Sequence, residues 1–272
     1  MESRHIQLRD GRTLVYGDYG SPGGAPVIYC HGGSMSHLLP RAEIELAQQH
    51  GLRLIVPARP GISQSSFQPN RTLLDWPDDV EALADALGVD KFGIIGVSRG
   101  GAYAAACAYK IPHRLHKSAI VSGPAPFGAL RPAKKPPTAS ELEAETGAFL
   151  KQVRENPAQA FASALAEIPA AERETLLDFF VTTTLEAFRN GVEGDVYDWL
   201  LCYTRPWGFV LEDIEAEVHV WHGNADTTIP IEAAYYLARH IPDCTLHVLP
   251  QIGHFVPLEH RAAIFSLMAN SR

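Results

Sequence analysis

Short apolar runs recur along the N-terminal half of the chain, at 26–30, 52–56, 91–95 and 117–121, each closed by a nearby glycine or proline. Each is about the length of a buried strand. Amphipathic stretches lie between them. In 41–50, Ile44 and Ala47 are three apart and Gly51 is the stop. In 73–87, Trp76, Val80, Leu83, Ala84 and Leu87 share one helical face, and Gly88 is the stop. Strand alternating with helix predicts a mostly parallel sheet. An antiparallel pair, 5–8 with 13–16, is predicted ahead of it through the turn dipeptide Asp10-Gly11. The alternation breaks at 122–140, where Pro124, Pro126, Pro132, Pro136 and Pro137 exclude both helix interior and central strand. From 141 to about 213 the pattern is helical. It then resumes with a strand at 217–222, a helix at 231–240, a strand at 245–249 and a helix at 257–268. The expected fold is α/β: a mostly parallel sheet covered by helices on both faces, with a helical lid inserted after the sixth strand. The core is 1–121 with 216–272, and the lid is 122–215.

Composition narrows the function classes. Hydrophobic residues make up 46% of 272 and charged residues 20%, too apolar for a disordered chain. Net charge is −8 with no basic cluster, which disfavours nucleic acid as a partner. No apolar run is long enough to span a membrane, and the first ten residues lack a signal peptide's apolar stretch, so a cytoplasmic protein is expected. Cys30, Cys107, Cys202 and Cys244 have no CxxC spacing and signal neither a zinc site nor a disulfide framework. No metal and no cofactor is expected. The partner expected is a small-molecule substrate; oligomeric state is not readable.

The chemistry concentrates at Gly96-Val97-Ser98-Arg99-Gly100, after the strand ending at Ile95 and before an alanine-rich helix. A serine at the tip of so sharp a turn crowds strand against helix, and glycine two residues either side relieves the crowding. The turn exposes the hydroxyl and sets the Arg99 N–H at a helix N-terminus. The serine needs a base. Of the twelve histidines, His254 in Gly253-His254-Phe255 sits between the last strand and the last helix, in a loop able to reach the sheet's C-terminal edge. Asp226, delivered by the end of strand 217–222, is the candidate to fix the imidazole tautomer. Gly33 and Arg99 are the candidate oxyanion donors, because Gly32 and Gly33 let N–H groups turn towards an oxygen. His31 is expected to hold that loop. His31, Gly32 and Ser34 are expected near the substrate.

With these residues assembled, the chain resembles the lidded single-domain serine hydrolases of the α/β-hydrolase superfamily, which include esterases, lactonases, thioesterases and C–C bond hydrolases. The resemblance rests on His31-Gly32-Gly33, the PxRPGxxxS pattern at 57–65, GVSRGG at Gly96, HGNAD at His222 and Gly253-His254. The order Ser98, Asp226, His254 is that of the superfamily. Serine as nucleophile disfavours haloalkane dehalogenases and epoxide hydrolases, which use aspartate. Two positions depart from the pattern: Ala58 stands where aspartate is common, and Arg99 follows the nucleophile. The Arg99 side chain is expected to pair with an acid of the fold, the alternative being a substrate carboxylate.

The lid is rich in aromatics, and Tyr197, Tyr203 and Trp207 are the expected pocket contacts, implying a moderately large apolar or aromatic acyl or alcohol group. The leading expectation is a serine hydrolase cleaving an ester, lactone or thioester. C–C bond hydrolysis, a lyase or cyclase reaction, and a ligand receptor of the same fold remain open.

Overall fold

Eight strands form one sheet in the order β1-β2-β4-β3-β5-β6-β7-β8 in the computed structural model, which describes residues 3–130 and 135–270. Pro132, one of the five prolines of the break, lies outside the described residues. The strands are β1 Arg4–Gln7, β2 Thr13–Gly20, β3 Ala25–Cys30, β4 Leu52–Pro57, β5 Phe92–Val97, β6 Leu115–Val121, β7 Val218–Gly223 and β8 Cys244–Leu249. The β1–β2 and β2–β4 pairs are antiparallel, and the rest are parallel. The helices are α1 Arg41–Gln49, α2 Trp76–Ala86, α3 Gly100–Lys110, α4 Ala139–Glu155, α5 Pro157–Ala160, α6 Ala162–Ala166, α7 Arg173–Ala187, α8 Glu193–Tyr203, α9 Glu232–His240 and α10 Leu258–Ala269. Among the described residues no helix is long and apolar enough to cross a membrane.

The central strands, β3 to β7, are largely buried on both faces because helices cover both. Trp76, Val80 and Leu83 of α2, the alanines of α3, and Ala234 and Leu237 of α9 pack in one layer. Leu46 and Ala47 of α1, with Ile264, Phe265 and Met268 of α10, pack in the other. Helix α3 is buried from Gly100 to Ala108, which small side chains allow by letting the helix lie close to the strands.

Parallel register brings one set of strand ends to one edge. Cys30 is opposite Gly96, Val97 opposite Val121, Val121 opposite Trp221, and Gly223 opposite Leu249. The segments that follow β3, β5, β6, β7 and β8 therefore emerge side by side. The strand order reverses between β3 and β5, where open α/β sheets place their ligand crevice.

Helices α4 to α8 lie between β6 and β7, where the sequence pattern predicts the insertion. Its first helix starts at a capping box, with the Thr138 side chain accepting from the Glu141 N–H and Glu141 reaching back. The insertion packs in three clusters, one of which sets Leu150, Ala187 and Phe188 against Val15, Ala58 and Ile62. Val153, Phe161, Ile168 and Phe180 form a cluster that reaches Met35 and Phe255. Leu201, Cys202, Trp207, Leu211 and Ile214 instead join the layer around α2, α3 and α9.

Candidate active site

The strand-to-helix turn at 96–100 is built by steric exclusion. A Cβ on Gly96 would strike the Gly100 carbonyl and lie 2.7 Å from the Ala104 Cβ; one on Gly100 would strike the Cys30 carbonyl. Ser98 at its tip has φ +52°, a left-handed conformation costly for a residue with a side chain. The Ser98 N–H donates to the Val121 carbonyl (2.8 Å), which ties the turn to β6.

His254 lies in the loop between β8 and α10. Its Nε2 is 2.9 Å from Ser98 Oγ and its Nδ1 is 2.8 Å from Asp226 Oδ2. An ionised carboxylate only accepts, so Nδ1 carries the proton and Nε2 is left to accept from the serine hydroxyl. Burial would raise the Asp226 carboxyl, but hydrogen bonds from His222 and His254 outweigh it and hold it well below the usual range. Its second oxygen, Oδ1, accepts from the N–H groups of Thr228 and Ile229, both at 2.8 Å. One carboxylate therefore fixes its own turn and orients the imidazole. His222, buried, is also 3.3 Å from Asp226 Oδ2 and donates from Nε2 to the Ile229 carbonyl.

The 31–34 loop runs beside the serine. A Cβ on Gly32 would be 3.6 Å from the Ser98 Cβ, and one on Gly33 would fall 2.6 Å from the Arg99 guanidinium. The N–H groups of Gly33 and Arg99 have no acceptor among the described residues. His31 donates from Nδ1 to the Gly32 carbonyl, and burial together with the nearby Arg59 keeps it neutral, well below the usual histidine range.

A buried ion network behind this loop escapes the sequence reading. Arg59, fully buried, donates to the carbonyls of His31 (2.5 Å) and Gly32 (3.1 Å) and to Asp198 Oδ2 (2.6 Å). Asp198, on α8, also accepts from Arg71 and from the Tyr103 hydroxyl (2.6 Å). Three residues earlier on the same helix, Asp195 Oδ1 accepts from Arg99 Nη1 (2.7 Å) and from the Ser34 N–H (2.8 Å). The Arg99 side chain thus pairs with an acid, as expected, but one supplied by the insertion. Asp195 and Asp198, three apart among the mostly apolar residues that follow Glu193 on α8, were the available signal.

A cavity of about 200 Å³ opens on Ser98, His254, His31, Gly32 and Gly33. Its wall is mostly apolar, with Leu39, Val97, Ile168, Leu176, Phe180 and Phe265 among its residues. The insertion's contribution comes from 167–180. The expected contacts Tyr197, Tyr203 and Trp207 are not part of this wall. Tyr197 lies against the Arg71 guanidinium (4.6 Å). Tyr203 packs on Trp199 at 5.2 Å and against the core layer. Trp207 is buried in that layer and donates to the Cys202 carbonyl (3.2 Å). Ser34 is also outside the wall: Asp195 takes its N–H, and its carbonyl accepts from the Thr184 hydroxyl.

A family model described as the alpha/beta hydrolase fold matches residues 25–261. The chain is 26% identical over 222 residues to a 2-hydroxy-6-oxo-6-phenylhexa-2,4-dienoate hydrolase of Burkholderia cepacia, covering 78% of this chain and 74% of that one. It is 30% identical over 217 residues to a pimeloyl-[acyl-carrier protein] methyl ester esterase of Aromatoleum aromaticum, covering 77% and 83%. An esterase structure from Exiguobacterium antarcticum superposes with a TM-score of 0.75 at 19% identity, covering 98% and 97%.

Proposed function

Because the chain belongs to the α/β-hydrolase fold family, we propose that it is a serine hydrolase cleaving a carboxylic ester, lactone or thioester of a small apolar substrate. The observation that carries this reading is the unbroken relay from Asp226 through His254 to Ser98, ending in an apolar cavity. In the proposed reaction His254 Nε2 takes the Ser98 proton as Oγ attacks the carbonyl carbon. The oxyanion formed is met by the N–H groups of Gly33 and Arg99. Protonated His254 gives its proton to the leaving alcohol or thiol. Water, deprotonated by the same imidazole, then releases the acid from Ser98. The hydrolase relatives, one of them named as a methyl ester esterase, support this class.

The cavity is smaller than the roughly 300–1,000 Å³ of most ligand clefts, which argues for an acyl group of few carbons. Its apolar wall should reward each methylene with about 0.8 kcal/mol until it is full. A p-nitrophenyl ester series from acetate to octanoate tests this. Expected is a rise in kcat/KM of about tenfold for two added methylenes, then a fall beyond the cavity's length.

A second reading, hydrolysis of a carbon–carbon bond next to a ketone, is favoured by the dienoate hydrolase relative. Cleavage of a vinylogous 1,5-diketone without turnover of any ester or lactone would establish it. A chain that turns over neither has some other role.

A further inference from the structure

The backbone of His254 is held from two sides by residues the relay does not include. Its carbonyl accepts from Ser122 Oγ (3.0 Å), at the end of β6. Its N–H donates to Glu167 Oε2 at 2.6 Å, and the next N–H, of Phe255, reaches the same oxygen at 3.3 Å. Glu167 belongs to the insertion, one residue past α6, and lines the cavity with Ser98 and His254. Its carboxylate lies where a Cβ on Gly253 would stand, so the glycine makes room for it.

The segment that carries the histidine runs between β8 and α10 and belongs to neither. It has no sheet ladder or helix turn to take its N–H groups, and the Phe255 side chain packs against the apolar cluster that includes Ile168 and Phe180. Unpaired at this half-buried place, they would bear part of the desolvation penalty of an orphaned donor. One carboxylate accepting from two successive N–H groups removes that penalty and fixes the loop's path. The Phe180 and Phe255 rings, 5.5 Å apart, bring the same part of the insertion against the same loop.

Resting on the serine-hydrolase reading, we propose that Glu167 is a positioning residue. It clamps the His254 backbone from the insertion, so that the imidazole is aligned on Ser98 only while the insertion is docked. It touches neither the serine nor the imidazole nitrogens. Its action is through the loop, and what it must supply is an acceptor oxygen.

Glu167→Gln keeps an acceptor at the same reach, and Glu167→Ala removes it. In the full chain, with the best p-nitrophenyl ester of the series, Glu167→Ala should lose at least tenfold in kcat with KM within threefold. Glu167→Gln should stay within threefold of the parent in both. Hydrogen exchange across 252–256 should quicken at least tenfold in Glu167→Ala and not in Glu167→Gln. The exchange arm needs no substrate, so an inactive parent enzyme would count against the hydrolase reading while the clamp was still decided. Unchanged exchange in Glu167→Ala overturns the proposal. So does a kcat loss as large in Glu167→Gln as in Glu167→Ala.

Discussion

Asp198→Asn removes the single negative charge on which Arg59 and Arg71 converge. The carboxylate is fully buried, and burial alone would favour its neutral form. Arg59, Arg71 and Arg99 outweigh this and keep it ionised throughout the working pH range. With an amide in its place, two buried guanidiniums lose their counterion, and the amide's NH2 cannot accept from either. Arg71 is the worse off, since its Nε and Nη1 already have no hydrogen-bond partner among the described residues. Breaking a buried pair by removing one partner costs about 3–5 kcal/mol, a large part of the roughly 5–15 kcal/mol that holds a domain folded. Arg59 also holds the carbonyls of His31 and Gly32, so the loop beside Ser98 should loosen together with the fold. Urea unfolding should give an unchanged slope and a stability lower by about 3–5 kcal/mol, with ester turnover reduced at temperatures where the variant is still folded. A loss below about 1 kcal/mol would refute the reasoning, because it would mean that water or rearrangement already solvates these charges.

Asp226→Asn should leave folding nearly intact and lower kcat by roughly 10⁴, since the amide favours the wrong tautomer of His254; steady-state kinetics showing less than a tenfold loss would make Asp226 a residue of its turn alone. Stability should fall on acidification from pH 6.5 to 4. Burial pushes His37 down to about 4 and moves His31 and His247 down as well. The unfolded chain therefore takes up protons first, and stability present above about 6.5 is lost as pH falls towards the folded values. His37 alone should account for about 2 kcal/mol between pH 7 and 5. Asp198 and Asp226, also held down, act with the same sign, but most of their contribution is lost below about pH 4, at the foot of this window. Urea midpoints measured across the window should drop, with a shallower fall in His37→Gln; a flat profile would contradict the sign.

Strands and motif-bearing turns were legible because each is a local event. The runs at 26–30, 52–56, 91–95 and 117–121 lie within or largely within β3, β4, β5 and β6, since a doubly covered strand must be apolar throughout. β2 reaches Gly20, beyond the alternation that ends at Tyr16, because pairing with β4 continues as far as Arg53 opposite Gly20. Helix α2 begins at Trp76, and the predicted first turn, Leu73–Asp75, is a 3-10 turn capped by Thr72. The serine, the histidine and the aspartate could be chosen because each follows a strand whose end was visible. The pocket wall could not be chosen that way. Every long helix of the insertion has apolar residues, and docking alone decides which of them face the cavity. Tyr197, Tyr203 and Trp207 went to the core side with α8, while Phe180 and Leu176 of α7 face the cavity. Arg59 and Glu167 were hidden for a related reason. Their partners, Asp198 and the His254 N–H, stand 139 and 87 residues away in the chain, and no local pattern couples them.

Labelling with a fluorophosphonate tests the serine mechanism most directly, because only a hydroxyl activated by a base reacts at a useful rate. The relay predicts one adduct per chain, on Ser98 by peptide mapping, and none in Ser98→Ala. An adduct that persists in Ser98→Ala, or that maps to another serine, would contradict the account.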